Sequence, residues 1–190
     1  MTHEIIVAGF GGQGILLLGK ILSYAAILDG KETTWISSYG VEMRGGTANC
    51  SVVISDQLIG SPFVSAPTSA IVLNTPAFEK FEPLVARAGV LIVNSSLVER
   101  PSFRSDIHVC RIPCSDIALE LGNPKSVNLV ALGALLALTG AVSRGAVSDS
   151  LEHLFANKSV SISSLEQAVS RGHASAQKET TVIQPMLNCA

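Results

Sequence analysis

The chain predicts an α/β fold: a single domain of three α/β/α layers, with a mixed, mostly parallel sheet and a helical C-terminal layer. Three observations carry this. Short apolar, β-branched runs recur at residues 5–8, 33–36, 50–54, 70–73, 90–93 and 107–112, and runs without polar alternation mark strands covered on both faces. Helix-like segments stand between several of them, the order that layers helices on a sheet. The glycine-rich stretch GFGGQG, residues 9–14, joins the first run to the first of these segments.

Taken in order, residues 5–8 form a strand, and residues 13–28 continue from the glycines as a helix. Strands 33–36 and 50–54 are separated mainly by SYGVEMRGGTAN, residues 38–49. That is too short for a crossover helix, so the pair is antiparallel or holds a functional loop, and the sheet is mixed. Strand 70–73, helix 77–87, strands 90–93 and 107–112, and helix 115–121 follow. After Asn123-Pro124 the chain reads as helices only, at 128–140, 147–155 and 164–176, with Gly140, Gly145 and Asn157-Lys158 as breakers. Residues 1–177 make the domain; residues 178–190 lack a clear period and read as a tail.

Composition narrows the function. With 190 residues, a single domain buries about 70% of the surface its unfolded chain exposes. The residues are 47% hydrophobic and 15% charged, with mean hydropathy +0.43, against about a quarter charged in an ordinary domain. The excess apolar content implies a large core or a partner-covered surface, and self-association of the isolated chain is expected. A net charge of −2 with scattered Lys and Arg excludes the basic footprint of a nucleic-acid binder. The start Met-Thr-His-Glu lacks a basic signal region. The apolar run at 129–142 is broken by Thr139 and falls short of the roughly 20 residues that cross a bilayer. Cys50, Cys110, Cys114 and Cys189 form no disulfide framework or CxxC pair. A cytoplasmic protein with no membrane association is expected.

Gly9, Gly11 and Gly14 satisfy G-x-G-x-x-G between a strand and a helix, the setting in which that pattern binds dinucleotides. Such a site also needs an acid at the end of the second strand, and this one ends Trp35-Ile36-Ser37-Ser38, with Glu32 ahead of it. Three readings stay open. The glycines bind a dinucleotide, as in a stand-alone nucleotide-binding protein. They only permit a tight turn and close helix packing, as in a structural docking module. Or the N–H groups of Gly11, Gly12 and Gln13 face a phosphate-bearing or partner-supplied group, with the Gln13 amide adding one further hydrogen bond.

The second unusual stretch, SYGVEMRGGTANC, sets Tyr39, Glu42 and Arg44 beside Gly45 and Gly46. Arg44 offers a planar fork suited to carboxylate or phosphate; it can equally pair with Glu42 and order its own loop. Together with GFGGQG, IGSPFV at 59–64 and NLVALGALLALTG at 128–140, this stretch resembles the gamma subunit of the 2-oxoacid:ferredoxin (acceptor) oxidoreductases, and the EMRGGTANC form is most similar to the 2-oxoglutarate (KorC-like) branch. The resemblance extends to about residue 175.

The resemblance implies a complex that converts a 2-oxoacid, here 2-oxoglutarate, and coenzyme A (CoA) to acyl-CoA, carbon dioxide and reduced ferredoxin. It implies alpha and beta subunits, a ferredoxin-like subunit, ferredoxin as acceptor, and a complex holding thiamine diphosphate, Mg2+ and 4Fe-4S clusters, which supply the chemistry. Residues 1–177 are then the gamma-type domain. The chain itself has no GDG-to-Asn thiamine pattern and no CxxCxxC cluster run. His3, His108, His153 and His173 stand without supporting patterns, so no catalytic or metal-ligating residue is assigned. Gly9, Gly11, Gly12, Gln13, Gly14, Tyr39, Glu42, Arg44, Gly45 and Gly46 become candidates for contact with CoA, phosphate or a partner subunit.

Overall fold

The computed structural model describes residues 1–39, 47–158 and 160–187, without the side chains of 39, 47 and 180–187. In chain order the elements are β1 (Thr2–Phe10), α1 (Ile15–Leu28), β2 (Glu32–Tyr39), β3 (Thr47–Ser55), β4 (Ser69–Val72), α2 (Thr75–Phe81), a 3-10 turn (Glu82–Leu84), β5 (Val90–Asn94), β6 (His108–Ile112), α3 (Cys114–Glu120), a second 3-10 turn (Pro124–Ser126), α4 (Val127–Thr139), α5 (Arg144–Phe155) and α6 (Ile162–Leu187). The six strands form one sheet in the order β2-β3-β1-β4-β5-β6. Only β3 is reversed, pairing antiparallel with β1 and β2, whereas β1, β4, β5 and β6 pair in parallel. The expected mixed, mostly parallel sheet is present.

Alternation along the strands separates two apolar layers. Ile5 and Val7 of β1 face a large cluster with residues of α1, α3, α4, α5 and α6, while Ile6 and Ala8 face a smaller one with Ala77, Phe78 and Phe81 of α2. α4 is apolar around its whole girth, with nine consecutive residues from Asn128 to Leu136 buried, as a helix enclosed on every side must be.

Element ends depart from the sequence reading for local reasons. α2 stops at Phe81 rather than running to 87, because Pro83 has no N–H for the next helical bond. α4 ends at Gly140, in the left-handed conformation with φ 58°. α6 continues into the expected tail as far as Leu187, and residues 178–187 are helical.

The connections create the crevice that matters. From β1 the chain crosses by α1 to β2 on one side of the sheet, and it later builds β4, β5 and β6 on the other. The direction of winding therefore switches between β1 and β4, and ligands of open α/β sheets bind outside the carboxyl ends of strands at such a point. GFGGQG lies at that end of β1. In register with it, Gly9 pairs with Ala48 and Ala48 with Tyr39, so the strand ends flanking residues 40–46 are beside the glycine turn.

Candidate ligand-binding crevice

The glycine turn is held by its own side chains. The Phe10 N–H donates to Gln13 Oε1 at 2.6 Å, and the Gln13 N–H donates back to the Phe10 carbonyl at 3.2 Å. A Cβ on Gly9 would stand 2.5 Å from Gln13 Oε1 and 2.8 Å from Ile15 Cδ1, so the close approach requires glycine. Gly12 and Gly14 have φ 96° and 74°, a region costly for residues with a Cβ. One sequence expectation is corrected: the Gln13 N–H is spent within the turn. Gln13 Oε1 points inward as an acceptor.

α1 begins at Gly14 with no side-chain cap and no acidic residue in its first turn. Its leading N–H groups lack intrahelical partners and lie at the positive end of the helix dipole, an arrangement that favours an anion.

Buried amides pin the neighbouring strand ends. Asn74 follows β4, accepts from the Ala77 N–H at 2.8 Å and caps α2; its Nδ2 faces Gln13 Oε1 at 3.5 Å. Asn94, the last residue of β5, donates to the Leu73 carbonyl at 3.2 Å and to Ser115 Oγ at 3.0 Å, and accepts from the Ser115 N–H at 3.3 Å. Asn128 of α4 donates to the Gly14 carbonyl at 3.1 Å.

Between these elements opens a crevice of about 410 Å³, lined by Gly12, Gln13, Ser115, Asp116, Leu119, Pro124, Lys125 and Val127. Gln13, Ser115 and Lys125 offer donors, Asp116 brings one carboxylate opposite in charge to Lys125, and Leu119, Pro124 and Val127 form an apolar side. No histidine lines it. The titration-shifted thiols lie in the core instead: burial pushes Cys50 up to about 11, and its thiol donates to the Ile15 carbonyl beneath α1. Burial likewise raises Cys110 and Cys114. The donors and the apolar side suit an anionic, partly apolar molecule.

The sheet order differs from the one in which a glycine-rich turn binds a dinucleotide. β3 stands between β1 and β2, which moves the second strand about 9.5 Å from the first. Tyr39 closes the carboxyl end of β2, and Glu32 lies at the opposite end.

Of the residues singled out in the sequence, Gly9, Gly11, Gly12, Gln13 and Gly14 come together in the turn, and the backbone of Tyr39 ends β2 on the same side of the sheet. Glu42, Arg44, Gly45 and Gly46 lie outside the described residues. Asn74, Asn94, Ser115, Lys125 and Asn128 were missed. For the first two a signal existed, an Asn directly after an apolar run in SAIVLN and VLIVN, since Asn favours the residue where a strand gives way to a helix cap.

Known proteins fit this architecture. The chain is 42% identical over 147 residues to the 2-oxoglutarate synthase subunit KorC of Methanocaldococcus jannaschii, covering 76% of this chain and 79% of that one. It is 38% identical over 136 residues to the ketoisovalerate oxidoreductase subunit VorA of Methanothermobacter thermautotrophicus, covering 71% of this chain and 28% of the relative, so it spans little more than a quarter of that protein's length. The crystal structure of the gamma subunit of a keto/oxoacid ferredoxin oxidoreductase from Geobacter sulfurreducens superposes with a TM-score of 0.82 at 29% identity, covering 94% of this chain and 98% of that one. The model of the pyruvate ferredoxin/flavodoxin oxidoreductase family matches residues 4–175, and the chain belongs to that family.

Proposed function

We propose that the chain is the gamma subunit of a 2-oxoacid:ferredoxin oxidoreductase and that its crevice holds the phosphate-bearing part of CoA. The complex converts a 2-oxoacid and CoA to acyl-CoA, carbon dioxide and reduced ferredoxin, with 2-oxoglutarate as the 2-oxoacid. It works with alpha and beta subunits and a ferredoxin-like subunit in the cytoplasm. Support for the substrate comes from the identity with the KorC relative and from the EMRGGTANC motif.

We assign thiamine diphosphate, Mg2+ and the 4Fe-4S clusters to the partner subunits, because the described residues of this chain do not fit them. Cys50, Cys110 and Cys114 are buried in the core, and among the described residues no group of three or more His, Cys, Asp or Glu is arranged to hold a metal. When bound in the complex, those groups supply the decarboxylation and the electron transfer.

The observation that carries the reading for CoA is the uncapped, acid-free start of α1 at the glycine turn, with Lys125 across the crevice. The N–H groups of α1 and the Lys125 ammonium neutralise phosphate charge, Gln13 Nε2 adds a directed hydrogen bond, and Leu119, Pro124 and Val127 cover an aliphatic arm. Arg44, between β2 and β3 in the sequence and outside the described residues, is proposed as a further contact for the same ligand or for a partner subunit.

In the assembled complex, Lys125→Ala raises KM for CoA by about tenfold, the size of one lost charge-assisted hydrogen bond, and leaves KM for the 2-oxoacid unchanged. Gly12→Val acts in the same direction by straining the turn at φ 96°, although a Cβ there meets no neighbouring atom. Initial rates at varied CoA measure both. Unaltered KM values in the two variants overturn the assignment of CoA to the crevice. A higher kcat/KM for pyruvate or 2-oxoisovalerate than for 2-oxoglutarate overturns the substrate.

A further inference from the structure

We propose that Asn128 is a positioning residue that sets the distance between the two walls of the crevice, and through it the affinity for CoA; the inference rests on the reading of the crevice given above. One wall is the glycine turn, with Gly12 and Gln13, and the facing wall is the second 3-10 turn and the start of α4, with Pro124, Lys125 and Val127. These walls are more than a hundred residues apart in the chain, and the Asn128 side chain bonds one to the other. Asn128, adjacent to Val127, donates from Nδ2 to the Gly14 carbonyl at 3.1 Å across 114 residues. The same carbonyl accepts the Leu18 N–H at 3.0 Å, which opens the helical ladder of α1, so both of its acceptor positions are used.

The fit is steric as well as polar. A Cβ on Gly14 would lie 2.5 Å from Asn128 Nδ2 and 2.8 Å from its Cγ; the carboxamide occupies the space that glycine leaves. Asn128 is 1% exposed, hence it acts on a ligand only through Gly14 and Val127.

The backing of α4 decides which wall gives way. A Cβ on Gly133 of α4 would strike the Val169 carbonyl of α6, and one on Gly172 of α6 would strike the Val130 carbonyl of α4. The two helices thus touch backbone to backbone, and α4 is a fixed post. The glycine turn, closed by the Gln13 side chain and carrying open space around Gly12, is the side that shifts when the Asn128 tie is altered. A shift there moves Gly12 and Gln13 relative to Lys125, which changes how a phosphate is shared between them.

The test uses the complex purified with its partner subunits. Asn128→Asp keeps the shape but turns an acceptor toward the Gly14 carbonyl, and Asn128→Ser withdraws the donor without adding charge. Asn128→Ser raises KM for CoA by about fivefold, the equivalent of one neutral hydrogen bond of about 1 kcal/mol, and Asn128→Asp raises it further. KM for the 2-oxoacid and kcat at saturating CoA stay at the parent values, a split that general loosening of the fold does not produce. If Asn128→Asp fails to assemble, Asn128→Ser decides.

A raised KM for CoA in Lys125→Ala with both Asn128 variants unchanged overturns the positioning role and leaves the crevice assignment standing. No change in Lys125→Ala, Gly12→Val or either Asn128 variant overturns the assignment itself. A fall in kcat with KM for CoA constant reduces Asn128 to a purely structural residue, against the proposal.

Discussion

At Gly14 two demands meet on one residue. Its φ of 74° disfavours any side chain, and the Asn128 carboxamide fills the volume a methyl group would need. Gly14→Ala therefore destabilises the fold by roughly 2–4 kcal/mol, combining backbone strain with overpacking, and urea denaturation of the chain measures it. At Gly12, where the added Cβ finds open space, the same substitution is milder; equal losses at the two positions contradict the packing role of Asn128. This contrast also marks how far the site was legible. GFGGQG announced its turn because strand, glycines and helix follow one another in the chain. The residues that complete the crevice, Ser115, Lys125 and Asn128, sit on elements brought there by tertiary packing, and no local pattern separates a buried, bonded Asn from a surface one. The Gln13 carboxamide was noticed, yet its orientation toward the Phe10 N–H depends on a turn geometry that sequence does not encode directly.

Among the elements, α4 and α6 depend on glycine for a different reason. Both Gly133 and Gly172 are helical, and the requirement is close approach, since each would drive a Cβ into a carbonyl of the other helix. Gly172→Ala forces the pair apart and destabilises by about 1–3 kcal/mol despite the better intrinsic helix propensity of Ala; a rise in thermal midpoint refutes the close packing. Helix composition predicted α4 and the first part of α6, but the contact between them is invisible to periodicity. α6 also guards an edge of the sheet. Glu179 accepts from the Arg111 N–H of β6 at 2.8 Å and from the Cys110 thiol at 3.0 Å, occupying a backbone donor that would otherwise invite another strand. The reading of a tail from 178 missed this, because the apolar spacing fades there while the polar anchor at Glu179 holds the helix against the strand.

For the whole molecule, strand identity and layer order were legible in the apolar runs, and the short link between β2 and β3 gave away the reversed strand. The insertion of β3 between β1 and β2 was not, since pairing partners are chosen by the sheet as a whole, and it is what separates this fold from a dinucleotide binder. The same global packing sets a pH response far from the crevice. His3 lies on β1 opposite Ile54 and is 9% exposed; burial, followed by the nearby Lys31, lowers its pKa below 6.5, with Asp56 opposing and the amino terminus adding to the shift. Because the unfolded chain takes up a proton at His3 before the folded one does, stability rises with pH through the interval below 6.5 and is lost as pH falls through it. His173 on α6 is shifted in the same direction by burial and by Arg144, though its greater exposure makes it the weaker contributor. Urea midpoints measured from pH 7.5 to pH 5 fall for the parent chain, and His3→Gln, which keeps a polar side chain but cannot titrate, flattens that fall while His173→Gln flattens it less. Parallel curves for all three chains would show that the acid limb comes from groups other than the buried histidine of β1.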